Sequence, residues 1–453
     1  MEGKAEFASK IGLIAATVGS AVGLGTIWRF PNEVQENGGS VFLLAYLAAV
    51  LLVGIPVMLA EFSLGRGSGC DAIGSFRKLT PGKKWWLVGA LGVLTPYLIL
   101  MYYNVVSGWT LNYLWMSITG GLFDGVNNGA PANESFQQIM EQSLTSTWQP
   151  LIWTTIIIFV NIFVLLNGVQ KGIERMSNIM MPVLFVILLI FCGVSLNLPN
   201  SMEGVKFFLS PDWSKIDGNV FIEAIGQAFF SMSLGMGILI TYSSYYPKDT
   251  NLSHTAATVS FSGLLVAVLV GLIIFPAIKS FGIEGSTQGA TLIFVTLPQI
   301  LMQLPCPQFW AILFFALMVV AALTSNVSIA EVSIALLCDT FKMSRRKATL
   351  LTLLPMLVFS TVCALSMGPW SNFKIFGFTI FNGLDFFTSN ILLPIVSIGV
   401  CLYVGFVLPK SFFVNEIDNG KNQNSKWAQT VLFFVRFISP VLIILAFANK
   451  LFQ

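Results

Sequence analysis

Charge is what this chain has least of. Only 10% of its 453 residues are Asp, Glu, Lys or Arg, one is histidine, and 55% are apolar. A soluble domain carries about 25% charged residues, so this composition belongs to a polytopic helical membrane protein. The six cysteines (Cys70, Cys192, Cys306, Cys338, Cys363, Cys401) form no CxxC pair, which reads as small buried residues rather than metal ligands or disulfides. His254, the lone histidine, reads as a solvated residue at a span end. No metal cluster, nucleophile elbow or phosphate loop is present, so nothing supports an enzyme or a nucleic-acid binder. The polar start, Met1 to Lys10, and the long glycine-rich run after it do not make a cleavable signal peptide.

Apolar runs are what the chain has most of. Eleven spans are expected at 9–31, 40–65, 84–118, 149–168, 173–197, 219–246, 254–281, 308–341, 346–367, 376–409 and 427–449. The polar segment 119–148 carries Asp124, Glu134 and Glu141 but no Lys or Arg. Segment 66–84 holds Arg66, Arg77, Lys78, Lys83 and Lys84, and 342–347 holds Lys342, Arg345, Arg346 and Lys347. The positive-inside rule then puts the N-terminus in the cytoplasm and the C-terminus outside, in a plasma (inner) membrane. Segment 282–307, rich in Gly and Pro, is expected to be an external loop with short helices, a plausible lid.

Two of the spans are interrupted. Residues 19–25 read Gly-Ser-Ala-Val-Gly-Leu-Gly, and residues 231–237 read Ser-Met-Ser-Leu-Gly-Met-Gly. Each helical glycine costs roughly 1 kcal/mol against alanine. A broken backbone inside a bilayer survives only where it faces protein or a polar cavity. Close packing through small residues is the rival explanation of either break alone. Breaks in corresponding spans of two five-span halves, which an odd count turns antiparallel, point to a transporter's substrate site. The expected units are 1–197, an inverted copy at 198–409, and a linker with span eleven at 410–453.

The run Ala21-Val-Gly-Leu-Gly-Thr-Ile-Trp-Arg-Phe-Pro31 with Glu36-Asn-Gly-Gly39 resembles the first span of the neurotransmitter:sodium symporters. Val53-Gly-Ile-Pro56 with Glu61, Tyr102-Tyr103, Ala228-Phe-Phe-Ser-Met-Ser-Leu-Gly235, Leu323-Thr-Ser325 and Gly383-Leu-Asp-Phe386 extend the likeness, in order, along almost the whole chain. The closest likeness is to bacterial amino-acid members. It implies an all-α LeuT-like fold, a 5+5 inverted repeat with unwound centres in helices 1 and 6, and sodium-coupled uptake by alternating access. Proton coupling or exchange on the same fold is the alternative.

The resemblance also implies a site. The substrate carboxylate would meet the N–H groups near Gly23, Leu24 and Gly25 and the Tyr103 hydroxyl, a helix start being a ready anion site. Its ammonium would meet carbonyls near Ala21, Phe230 and Ser231, with Ser233 assisting. Ile99, Tyr103, Phe230, Ser233, Met236, Ser325 and Ile329 would hold the side chain; none is charged, so a hydrophobic, including aromatic, amino acid is expected. Gly23 matters because relatives that carry decarboxylated amines have an aspartate there. Sodium, a hard cation, wants oxygen ligands: Gly19, Val22 and Ala321 carbonyls with Thr324 and Ser325 hydroxyls make one site. A second, at Ala21, Thr26 and Ser231, lacks the family's asparagine and span-seven amide or acid, so it is expected to be weak or absent. Tyr46, Gln227 and Ser231 match three chloride ligands, which leaves chloride a weaker expectation.

Gates are implied as well. Arg29 and Asp385, with Gln227 beside them, match the outer pair, with Tyr103 and Phe230 as a thin lid. At the inner latch Lys4 stands where the family has an arginine, facing Asp339 with Tyr245 nearby; a lysine loses the bidentate fork, so a looser latch is expected. Glu61 and Glu331 are expected in structural networks. Gly172 and Pro182 match a span-five segment that unwinds to admit water. The partners implied are a small amino acid and the bilayer, with no obligatory protein partner.

Overall fold

A computed structural model describes residues 7–282, 289–421 and 425–452. Among these, nine uninterrupted helices are long and apolar enough to cross a membrane, and a bent pair, Lys10–Ala21 with Gly25–Glu36, makes a tenth. The eleventh span is the second interrupted segment, Gly218–Ser231 then Ile238–Ser243, whose halves are each too short to count alone. Spans two to five are Ser40–Ser68, Trp86–Thr119, Trp148–Leu166 and Val169–Leu196; spans seven to eleven are Leu252–Phe281, Pro307–Asp339, Arg345–Leu365, Ile380–Val407 and Lys426–Lys450. The described residues contain no strand beyond an isolated Ile375–Phe378 bridge.

Proline shapes these helices in a regular way. The residue just before Pro31, Pro56, Pro298, Pro394, Pro409 and Pro440 donates its N–H five residues back, to Gly25, Val50, Leu292, Thr388, Tyr403 and Phe434 respectively. A proline ring pushes away the carbonyl four residues behind it, and its ring also crowds the preceding residue. Widening the turn to a π-bulge relieves both, and the helix runs on past every one of these prolines except Pro409, where Leu408 is extended and span ten ends.

Burial separates a central layer from a peripheral one. The apolar window of span eight is 72% buried, against 39% for spans four, five and eleven. Span eight therefore lines the interior and the other three face lipid. Polar side chains tie the spans together: Asn326 Nδ2 of span eight donates to Ser107 Oγ of span three at 2.8 Å, and Asn161 Nδ2 of peripheral span four to Asn104 Oδ1 of span three at 3.4 Å. Such pairs satisfy groups that hydrocarbon would leave stranded.

The polar segment 119–148 is not simple loop. It folds into helices Asp124–Asn127 and Ala132–Thr145, and the latter lowers Met140 and Leu144 toward the bundle axis. In segment 282–307, residues 283–288 lie outside the described range; beyond them Leu292–Met302 forms the short helix expected there. Span five does not unwind at Gly172. It stays helical through a π-turn at Val169–Glu174, and Pro182 sits inside an intact helix.

Candidate functional site

The first break is narrower than residues 19–25. Helix continues to Ala21, bends at Val22 and Gly23, and restarts at Leu24, the halves meeting at 48°. The restart leaves backbone groups to be shared out, as any helix end does. Thr26 and Ile27 N–H groups reach the Gly23 carbonyl at 3.1 and 3.3 Å. Leu24 N–H donates to the Tyr103 hydroxyl at 3.2 Å. The second break covers 232–237, close to the expected stretch. There Ser233, Gly235 and Gly237 all have positive φ (54°, 72° and 64°). Gly235 also comes so near the Leu393 carbonyl and Ser397 Oγ that a Cβ would lie 2.6 and 2.7 Å away. The glycines flanking Met236 are thus set by backbone path and contact, a stricter demand than pliancy alone. Ser233, a non-glycine in the left-handed region, is held by its hydroxyl, which donates to the Ser20 carbonyl across the gap at 2.7 Å.

A small cavity of about 20 Å³ lies between the two breaks. Ala21, Gly23, Gly25, Ile99, Tyr103, Phe230, Ser231, Ser233, Met236, Ser325 and Ile329 all line it, so the structure brings eleven of the twelve expected substrate-site residues together. Ser20 and Thr26 complete the lining. Leu24 does not belong to it: that residue faces a second cavity, of about 350 Å³, on the outer side. Gly25, Tyr103 and Phe230 line both spaces, so this thin layer is the partition. The Arg29 guanidinium lies 5.5 Å from the Phe230 ring centre, a cation–π contact from above.

The expected Arg29–Asp385 ion pair is not made. Both residues line the larger cavity, but Arg29 Nε pairs with Glu33 Oε1 at 3.5 Å, and Asp385 accepts from Ser389 Oγ at 3.2 Å. The open vestibule between them is the physical reason. Gln227 is fully buried, and its Nε2 donates to the Gly25 carbonyl, one turn before Arg29, at 3.1 Å.

The cation candidates divide into two groups. Gly19 faces span eight so closely that a Cβ would sit 3.3 Å from Thr324 Cβ, with Met181 of span five against the same spot at 3.6 Å. Ala321 and Thr324 share one turn there, the Thr324 hydroxyl donating to the Ala321 carbonyl at 3.1 Å, and Val22 is the bend residue above. Ser325 Oγ is buried beside the Tyr103 hydroxyl, a hard-oxygen ligand of the sort sodium takes. In the second group Thr26 Oγ1 donates to the Ala21 carbonyl at 3.2 Å, as Thr324 does to Ala321 in the first, and the Ser231 hydroxyl pairs with that of Tyr46 at 2.7 Å. Span seven meets Ile27 with Val270, Ile273 and Ile274, all apolar.

At the inner end, Lys4 lies outside the described residues, so its approach to Asp339 is not described. Tyr245 donates instead to Glu331 Oε1 at 2.8 Å, and Arg345 grips the same carboxylate with two bonds of 2.8 and 2.6 Å. Phe7 packs among Tyr242, Tyr245 and Tyr246, its centroid 5.9 to 6.2 Å from theirs. Sequence reasoning passed over Glu174. Its carboxylate accepts from Ala8 N–H (2.8 Å), Ser9 N–H (3.1 Å) and Ser9 Oγ (2.7 Å), capping the first helix from span five. The signal available was Ser9 followed by a helical run, an N-cap position. Glu61 is likewise structural in geometry: its Oε1 accepts from Gly235 N–H at 2.8 Å inside the second break.

Comparison with known proteins follows the same lines. Residues 4–146 and 133–453 match the model described as the Sodium:neurotransmitter symporter family. An uncharacterised sodium-dependent transporter of Bacillus subtilis (strain 168) is 36% identical over 444 residues, 98% of this chain and 97% of that one. The sodium-dependent serotonin transporter of Drosophila melanogaster is 29% identical over 401 residues, 80% of this chain and 63% of that one. Among solved structures, the crystal structure of MhsT in complex with L-phenylalanine superposes with a TM-score of 0.90 at 40% identity, covering 99% of this chain and 100% of the other.

Proposed function

The chain belongs to the sodium:neurotransmitter symporter family, and from that premise we propose that it imports hydrophobic, including aromatic, L-amino acids together with sodium by alternating access. Membrane transport that depends on sodium, not catalysis, is this family's work. The finer reading rests on one observation. The cavity between the two broken helices is lined only by apolar, aromatic and hydroxyl side chains, with the peptide groups of Gly23 and Gly25 against it. A zwitterion satisfies those peptide groups, and a charged side chain would be stranded at a cost of several kcal/mol. Gly23, in place of a carboxylate, asks that the substrate bring its own. The phenylalanine bound to MhsT is consistent with this choice.

In this reading Leu24 and Gly25 N–H groups and the Tyr103 hydroxyl take the carboxylate, while carbonyls near Ala21 and Phe230 with Ser231 and Ser233 take the ammonium. Ile99, Met236, Ser325 and Ile329 surround the side chain. A cavity of 20 Å³ holds little more than a water, so substrate enters from the 350 Å³ vestibule as Phe230 swings and Met236 changes rotamer. Sodium at Gly19, Val22, Ala321, Thr324 and Ser325 joins the first broken helix to span eight. The ion then favours the conformation in which the substrate site is formed. The halves 1–197 and 198–409 act as inverted repeats, the N-terminus and basic loops facing the cytoplasm of a plasma membrane and the C-terminus the outside.

The test is a thermal-shift screen of the purified protein against the twenty amino acids, in sodium and in potassium. A ligand present at about 100 times its Kd stabilises by roughly 2.7 kcal/mol. Leu, Ile, Met, Phe, Tyr or Trp should raise the melting temperature in sodium alone. Equal shifts in potassium would point to a proton-coupled or exchange mechanism, and shifts with Lys or Glu would refute the apolar pocket.

A further inference from the structure

We propose that the groove between the linker helix Lys410–Asp418 and the first half of span eleven binds the phosphate ester of an anionic phospholipid. The groove encloses about 560 Å³, more than the outer vestibule. It lies against lipid-facing span eleven, at the end of the bundle where Arg66 is tied to the linker helix through Glu416 at 2.8 Å.

Arg436 is the reason to look there. It is the only charged residue between Lys426 and Lys450 of an otherwise apolar span. A charge within such a span is expensive and calls for a partner or a route to the polar interface. No carboxylate pairs with Arg436 among the described residues, and its Nε is buried with no hydrogen-bond partner. The residues 422–424 nearby in sequence are Asn, Gln and Asn, which bring no negative charge. Yet the side chain is deliberately seated. Its stem crosses Gly405 of span ten, where a Cβ would lie 2.9 Å from Arg436 Cγ, and its guanidinium sits 5.8 Å from the centre of the Phe406 ring.

The groove around it is built from donors. Ser411 and Asn415, one turn apart, face it from the linker helix, and Gln429, one helical heptad before Arg436, faces it from span eleven. Lys410 adds a second cation. No carboxylate lines the space: the neighbouring Glu416 is spent on Arg66. Two cations, a hydroxyl and two amides with no anion between them suit a phosphate, and a planar guanidinium bonds one with two parallel N–H groups. Phe433 and Phe437, 52% and 49% exposed, form an apolar rim on the same face. A free phosphate has no use for that rim; acyl chains below a headgroup do. Basic pockets beside membrane helices hold lipid headgroups in this manner.

The experiment measures lipid retention by native mass spectrometry, with dioleoylphosphatidylglycerol and dioleoylphosphatidylcholine offered to the detergent-purified full chain, and glycerol 3-phosphate as a soluble competitor. Wild type should hold phosphatidylglycerol about tenfold more tightly than phosphatidylcholine. K410Q and R436Q should each erase most of that preference, while R436K retains part of it. Should R436Q fold poorly, N415L and Q429L, both on exposed faces, should lower phosphatidylglycerol retention without lowering the melting temperature. Equal retention of the two lipids, or variants that match wild type, would overturn the proposal. Displacement of phosphatidylglycerol by an equal concentration of glycerol 3-phosphate would overturn it in favour of a soluble phosphate ester.

Discussion

Replacing Gly23 tests the centre of the site with one atom. A Cβ there would overlap Ser325 Oγ and lie 3.1 Å from the Tyr103 hydroxyl and 3.2 Å from Ser325 Cβ. Its backbone is not in the left-handed region, so G23A introduces crowding and no conformational strain. Overpacking of this kind costs about 1–3 kcal/mol. Because the three atoms it meets are those expected to close on substrate, the cost falls mainly on the bound state. With tenfold per ~1.4 kcal/mol, affinity for L-phenylalanine should drop roughly 5- to 150-fold. G23D adds a charge. A second carboxylate ~4 Å from the substrate's costs about 4 kcal/mol at an effective dielectric near 20, or roughly a thousandfold. Phenethylamine, which has no carboxylate, should suffer only the steric part and so gain on L-phenylalanine. The assay is sodium-dependent binding to purified protein, with ligand-free melting temperature as the folding control. If G23A bound L-phenylalanine within twofold of wild type at an unchanged melting temperature, the carboxylate would not lie where this reasoning puts it.

Phe230→Ala should remove the partition between the two cavities and raise the dissociation rate of bound amino acid by about tenfold or more, seen in washout of a radiolabelled ligand. Thr324→Ala should raise the sodium concentration for half-maximal stabilisation several-fold, while Thr26→Ala changes it less than twofold; a sodium Hill coefficient near one would accompany a single functional ion site. Glu174→Gln weakens three bonds to the start of the first helix, a loss of about 1 kcal/mol. Amide hydrogen exchange over residues 8–12 should then quicken roughly fivefold, and unchanged protection would mean that the cap is not holding that end closed.

Much of this molecule could be read from residue order because its signals are local. The two glycine-rich interruptions stood out against apolar runs, and the helices stop at Ala21 and Ser231, inside or at the edge of those stretches. The π-turns were equally legible in hindsight, since six of them end one residue before an X–Pro step. What sequence could not supply was pairing between distant charges. Arg29 and Glu33 are four residues apart on one helix, so their contact competes directly with a partner 356 positions away, and in this conformation the near neighbour wins. Glu331 took Arg345 and Tyr245 for the same kind of reason: a bidentate guanidinium from the next span start lies within reach once the helix hairpin forms. Ser9 marks the start of the first helix in the sequence, but nothing local to it names Glu174, 165 positions away, as the carboxylate that caps it.

The first span explains how these parts can act together. Gly12 and Gly19, seven residues apart, share one face of the first helix, Gly23 lies in the bend beyond it, and each meets a different neighbour: Glu174, then Thr324 with Met181, then Ser325 with Tyr103. That smooth face lets spans five and eight approach the backbone itself, so the contacts run to peptide groups as well as side chains. An ion seated between Gly19 and Thr324 would pull on the same span whose restart lies five residues on, at Leu24. Met181 beside Gly19 lies on span five, the element that also carries Glu174, so one span makes both the cap at Ser9 and the contact at Gly19. With the ion and substrate sites placed as proposed above, a side chain added at Gly19 should weaken sodium and substrate binding together.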